Sequence, residues 1–360
     1  MLLSLFLGCA LEVDSTEDRY LERRPGPEAL VDADGNYVGG WWESWEGDIN
    51  PEDASGREGA LQSWIHFILE TDRYFIIANL ADLNRAANTA LLVVDKEEQD
   101  FQNVSLQYTF GDNVLAVDPD WSGYSNPADG SSATISEDGM TFEIYADELS
   151  LVGEVAARPD EPFIQTTRSV DGYGWLQWYV NYTLVQGTLT IDGEAIELPP
   201  GALGSYDRMV GHRSNTQAWN WISAIGEAVS EDGLTTATVS LQIARDKDEA
   251  NPRIDAKKYA VWIDETLTKL PEVVFDYEVL DEETNETSDW HIYTPDTDAD
   301  WIDLSFTPDF HRRDKTSWLW FYNTDFNQHY GEVNGELHVG GETWILTDLF
   351  AVTEDSLLQF

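Results

Sequence analysis

Cysteine occurs once in the 360 residues, at Cys9, so the chain can close no intramolecular disulfide, build no cysteine-based zinc site and carry no dithiol redox centre. Basic residues are also scarce: 20 Lys and Arg stand against 68 Asp and Glu, a formal net charge of −48. Nucleic acid needs basic side chains that release counterions, and anionic lipid needs a cationic patch, so neither is a natural partner. No stretch approaches the roughly 20 apolar residues of a bilayer span; the longest candidate, Tyr74 to Ala81 (YFIIANLA), is strand length. There is no Gly-x-Ser-x-Gly elbow, no P-loop and no His-Glu-x-x-His, and Gly172-Tyr-Gly174 lacks the third glycine of a dinucleotide loop. No cofactor is expected, and no metal site. What the chain does have is aromatic bulk. With 42% hydrophobic residues, 15 Trp, 15 Tyr and 14 Phe it can bury a large core despite its charge. High acidity with few lysines fits salty surroundings, where carboxylates hold hydration and salt screens their repulsion; a merely acidic protein is the plainer alternative.

Met1 to Gly8 (MLLSLFLG) is a short apolar run ending in a small residue before Cys9. It resembles the end of a bacterial lipoprotein signal, although no basic residue precedes it and Leu7 is large for its place. The resemblance implies cleavage before Cys9, lipidation of its thiol and a bacterial cell-envelope protein held by a lipid anchor, its acidic body in water. Residues 10–28, with EDRYLERRPGPE, carry charge, Gly and Pro without periodicity and suit a tether.

Beyond the tether, apolar residues alternate with period two. Val104, Leu106, Tyr108 and Phe110 share one face; so do Leu176, Trp178, Val180, Tyr182 and Leu184, then Val239, Leu241 and Ile243, and Tyr259, Val261 and Ile263. Asp-Gly pairs recur between such runs, with Asn334-Gly335 and Gly340-Gly341 late in the chain. Helical patterns are few, with short helices expected only at 82–90 and 149–157. An internal repeat joins the halves: Gln186 to Glu194 aligns with Asn334 to Glu342, matching Gly187/Gly335, Leu189/Leu337, Gly193/Gly341 and Glu194/Glu342, with Tyr182/Tyr330 upstream and Asp207 near Asp355 downstream. Each copy reads as the closing hairpin of one of two related domains.

Gly204-Ser-Tyr-Asp-Arg-Met-Val-Gly-His-Arg213, followed by Trp219-Asn-Trp221, is similar to the junction signature of the lipocalin-like superfamily that includes carotenoid 1,2-hydratase. Gly172-Tyr-Gly-Trp175 and Phe326 to Gly335 fit the same group. The resemblance implies an all-β chain of two tandem lipocalin-like antiparallel β-barrel or sandwich domains, with boundaries at 1–9 for the signal, 10–28 for the tether, and 29–208 and 209–360 for the domains. Its members differ in activity, some hydrating or cyclising isoprenoid chains and some binding lipids. The expected function is binding of an apolar small molecule, a lipid, isoprenoid or steroid, with or without cofactor-free hydratase or cyclase activity. The alternative is a carbohydrate-binding or structural surface lipoprotein.

The strongest chemical cluster lies at that junction. Hydrating or cyclising an alkene needs a proton donor facing an apolar cavity and π faces to stabilise the cation, which Asp207, with His212, and Trp219 and Trp221 would supply. Asp207, Arg208 and Arg213 fit equally an inter-domain ion-pair network, in which arginine would lower the acid's pKa. Trp64, His66, Trp178 and Trp320 are the further candidates for a ligand cavity. Trp41, Trp42 and Trp45 suit either a cavity wall or an exposed platform for sugar rings. Asp296-Thr-Asp-Ala-Asp300 begins like a calcium loop, but Trp301 stands where the turn needs Gly and Thr307 where the bidentate acid belongs, so it reads as a solvated loop.

Overall fold

The computed structural model describes residues 22–55, 61–83, 86–109, 115–118, 120–168, 172–213, 216–247, 258–295, 297, 299–318 and 322–359. Cys9, and with it the expected signal and anchor, lies outside them. Among the described residues the strands form two curled sheets of fifteen and nine strands and one two-stranded ribbon, Val279–Asp281 with Glu286–Thr287, antiparallel except where Arg23–Arg24 runs parallel to Trp41–Trp42. The strand order is the same in both. In the first sheet it runs Asp100–Thr109, Ala86–Asp95, Tyr74–Asp82, Leu61–Glu70, Leu203–His212, Gly174–Ile191, Leu149–Ala157, Gly139–Ala146. In the second it runs Thr266–Lys269, Lys258–Ile263, Thr236–Asp246, Thr216–Ser230, Glu342–Gln359, Tyr322–Val339, Trp301–Trp318, Trp290–Tyr293. In each unit an early strand returns to pair with the last. The repeat therefore extends from one hairpin to the whole sheet.

The hairpin turns use the left-handed backbone that the strand twist requires. Asp192 and Gly193 have φ of 51° and 81°, and Gly340 and Gly341 have 65° and 83°. Asn334-Gly335 is not a turn: Gly335, at φ 139°, lies within Tyr322–Val339 beside a register shift. The two expected helices are strands as well. Residues 82–90 hold the end of Tyr74–Asp82 and the start of Ala86–Asp95, and Leu149–Ala157 is paired on both edges. Their Ala and Leu favour helix only weakly, and ladder pairing outweighs that preference. The change of sheet falls between His212 and Thr216, so a division at 208/209 would cut a strand that is paired along its whole length.

Alternation gives each sheet two differently used faces. Along Leu61–Glu70, Ile65, Phe67 and Leu69 join the first sheet's own core with Phe142, Ile144 and Leu189. In the second unit Ile222, Val239, Leu241, Trp290 and Val333 form the equivalent core. The opposite faces meet each other. Ile68, Phe75 and Leu92 of the first unit pack with Trp221, Phe350 and Val352 of the second. Buried polar pairs cross the same boundary, Ser240 Oγ to Asn181 Oδ1 at 2.8 Å and Gln242 Nε2 to Ser205 Oγ at 2.9 Å.

Candidate functional site

Residues opposite one another on neighbouring strands point to the same side of a sheet, so a site on a sheet is assembled across strands rather than along them. In the first sheet Tyr179, Asp207, His66, Asn79, Ala90 and Ser105 form one such row. In the second, Arg312, Gln328, Glu354, Trp221, Ala244 and Lys258 form another. All of them line one cavity of about 220 Å³ between the sheets. The rows are equivalent in topology: Asp207 and Glu354 sit on the last strand of each unit, His66 and Trp221 on the early strand beside it. The His66 and Trp221 rings meet edge to face at 5.3 Å.

Each carboxylate is held by the same two kinds of donor. Gln177 Nε2 donates to Asp207 Oδ1 at 2.9 Å and Trp64 Nε1 to Oδ2 at 3.4 Å. Gln328 Nε2 donates to Glu354 Oε1 at 2.8 Å and Trp219 Nε1 to Oε2 at 2.6 Å. Burial pushes Glu354 up to about 7, against the pull of its two hydrogen bonds and with the added repulsion of Asp207. Burial likewise pushes Asp207 up to about 6, opposed by the Gln177 bond and by the charges of Lys258 and Arg213. Of the two, Glu354 holds its proton to the higher pH. Burial and the Arg312 charge hold His66 down at about 4, so its ring is neutral.

Of the residues singled out in the sequence, Trp64, His66, Asp207, Arg213, Trp219 and Trp221 come together around this cavity. Others do not. Arg208 follows Asp207 on a strand and points to the opposite side, where its guanidinium stacks 3.7 Å from the Trp178 ring and donates to the Trp121 carbonyl at 2.9 Å. The expected network of Asp207, Arg208 and Arg213 is therefore split: Asp207 is hydrogen-bonded by an amide and an indole, while Arg213 lies over the rings of Trp64, Trp175 and Trp219. His212 is buried and is not among the residues lining the cavity; its Nδ1 lies 2.6 Å from the Tyr37 hydroxyl. Trp178 packs with Trp42 and Trp45 in a separate cluster. Trp320 lies outside the described residues. Trp41 and Trp42 are buried, which removes them as a sugar platform. In the acidic loop, Asp296 and Asp298 also lie outside the described residues, and Asp300 accepts the Gly340 N–H at 2.9 Å.

Glu354 is the cavity carboxylate that sequence reasoning missed. The repeat sets Asp207 against Asp355, but Asp355 turns away to pair with Lys247. Its neighbour Glu354 faces the cavity. A search of the repeat for a second carboxylate near 355 would have found it.

Two sheets of identical strand order, meeting through their outer faces over a carboxylate-bearing aromatic cavity, define a two-domain lipocalin-like protein. The chain belongs to the DUF2804 family, a domain of unknown function, which matches residues 21–360. Among solved structures it is similar to kievitone hydratase from Nectria haematococca, at 13% identity over 87% of this chain and 90% of that one, with a TM-score of 0.50. It is also similar to a candidate AttH from Nitrosomonas europaea, at 12% identity over 85% and 95% of the two chains, with a TM-score of 0.50. At these identities the likeness shows the fold alone. Among curated proteins, none is similar enough in sequence to count as a relative.

Proposed function

We propose that the chain binds an apolar unsaturated molecule between its sheets and adds water across a carbon–carbon double bond, or closes a ring on it, with its own carboxyl groups as acid and base. The observation that carries this reading is the buried pair Asp207 and Glu354 facing one aromatic-walled cavity, both raised above the ordinary carboxylate range by burial, with the higher value at Glu354. Glu354 gives its proton to one alkene carbon. The positive charge left on the other carbon is drawn to the π faces of Trp64, Trp219 and Trp221. The oxygen of water bonds to that carbon while Asp207 takes the proton water releases, and its return to Glu354 resets the pair. If a second double bond of the substrate attacks in place of water, a ring closes, the positive charge moves to the far carbon of that bond, and loss of a neighbouring proton to Asp207 gives the neutral cyclic alkene. Lys258 and Arg213 serve this scheme by keeping Asp207 ionised. That one protein of this fold is a hydratase supports the assignment by analogy only.

The test is incubation with farnesene, squalene and lycopene in oxygen-18 water, alongside quenching of tryptophan emission by each. Labelled alcohol is expected from the wild type. Glu354→Gln and Asp207→Asn should each still quench while losing turnover by about 100-fold or more. Undiminished turnover in Glu354→Gln would sink the mechanism. Quenching by soluble oligosaccharides and not by the lipids would favour the carbohydrate-binding alternative.

A further inference from the structure

Among the described residues, Gln177 Oε1 and His66 Nε2 are buried atoms of cavity-lining side chains next to Asp207 that have no hydrogen-bond partner. Both residues are tied to Asp207, Gln177 through its amide nitrogen at 2.9 and 3.1 Å and His66 as its directly opposite residue in the neighbouring strand. Because the amide nitrogen must face the carboxylate, the Gln177 oxygen is turned away from it and is an acceptor only. The neutral imidazole of His66 offers Nε2 as donor or acceptor according to its tautomer. Buried groups of this kind are rarely left unpaired, since each carries a desolvation penalty.

We propose that Gln177 Oε1 and His66 Nε2 form a hydroxyl subsite, holding the water that enters the reaction and then the alcohol group of the product. This rests on the hydration reading above and names its oxygen site and product class. A hydroxyl can donate to Gln177 and also satisfy His66, and it does so beside the carboxylate that receives the proton. An ether or ketone oxygen can accept from His66 but leaves Gln177 unpaired. An ammonium group would meet Arg213, Lys258 and Arg312 in the same cavity, and a carboxylate would meet Asp207 and Glu354.

The experiment compares farnesol with farnesyl methyl ether, the same chain with its hydroxyl capped, by titration of tryptophan emission on the full-length protein. Farnesol is expected to bind about tenfold more tightly, the worth of one hydrogen bond to a buried acceptor. His66→Phe, which keeps an aromatic ring against Trp221 but removes Nε2, should weaken farnesol and the ether by a similar factor and leave the gap between them, which Gln177 Oε1 sets; unchanged binding of both would remove His66 from the subsite. Equal binding of the two ligands to the wild type overturns the subsite and leaves the acid–base reading standing. Binding of neither overturns the subsite together with the apolar-ligand reading on which it rests. Should His66→Phe fail to fold, the wild-type pair alone decides.

Discussion

A carboxyl group in an aromatic cavity has one property that a surface carboxylate lacks: the fold prefers it protonated. In the folded chain Glu354 keeps its proton up to about pH 7, against an ordinary value of 4.5. Its contribution to stability is therefore complete below about pH 4.5 and is lost as the pH rises through 7, a total on the order of 3 kcal/mol. Glutamine at this position cannot ionise. The stability of Glu354→Gln relative to the wild type should thus increase from pH 4.5 to 7 and level off above, on top of a constant loss from mismatching the Trp219 and Gln328 donors. Urea unfolding of both proteins at pH 5 and pH 8 checks this, and a difference that does not change with pH would mean that Glu354 ionises freely in the fold. Residues at this scale were unevenly legible. Asp207, Trp219 and Trp221 stand in a recognisable local pattern. Glu354, Gln177 and Lys258 reach the cavity only through the pairing of distant strands, and no local pattern marks a cross-strand row.

Strands were easier to read than faces. Alternation along 101–109, 176–184, 239–243 and 259–263 falls on strands, because a sheet with two different environments imposes period two; Phe110 lies outside the described residues. Of the two misread helices, 82–90 straddles the end of Tyr74–Asp82 and the start of Ala86–Asp95, and 149–157 carries Leu, Ala and Glu, residues with helix preference, on a strand whose burial alternates only in part. Glycine also reads alike in two different settings. Gly193 is a left-handed turn residue with open space around its α-carbon, whereas a Cβ on Gly335 would stand 2.2 Å from the Asp303 carbonyl oxygen across the bulged ladder. Gly193→Ala should therefore cost only the backbone preference, about 1 kcal/mol. Gly335→Ala should cost more, by a further 1–3 kcal/mol or so of steric displacement. Denaturant midpoints of the two variants order them, and equal losses would show that the ladder yields at Gly335.

The charge belongs to the molecule as a whole. With 68 acidic against 20 basic residues, most carboxylates have no cation to meet, and the ion pairs that do form, such as Arg73 with Asp95 and Lys96 with Glu70, leave a large excess. Folding gathers this excess from an expanded chain into a compact body, so the repulsion is stronger in the folded state than in the unfolded one. Salt acts on both terms: it weakens surface ion pairs, each worth about 0–1 kcal/mol, and it screens the many unpaired repulsions as the screening length falls from roughly 10 Å at 0.1 M to 3 Å at 1 M. Because unpaired carboxylates far outnumber paired ones, the second effect dominates. The thermal midpoint should rise steadily from low to molar NaCl, and KCl should act as NaCl does, since screening is indifferent to the cation. The two buried carboxyls should contribute little to this rise, so Glu354→Gln and Asp207→Asn should show the same salt slope as the wild type. A flat or falling midpoint measured by scanning fluorimetry would overturn the saline reading. It would mean that the excess charge is already accommodated by spacing on the surface, with repulsion too weak for screening to relieve.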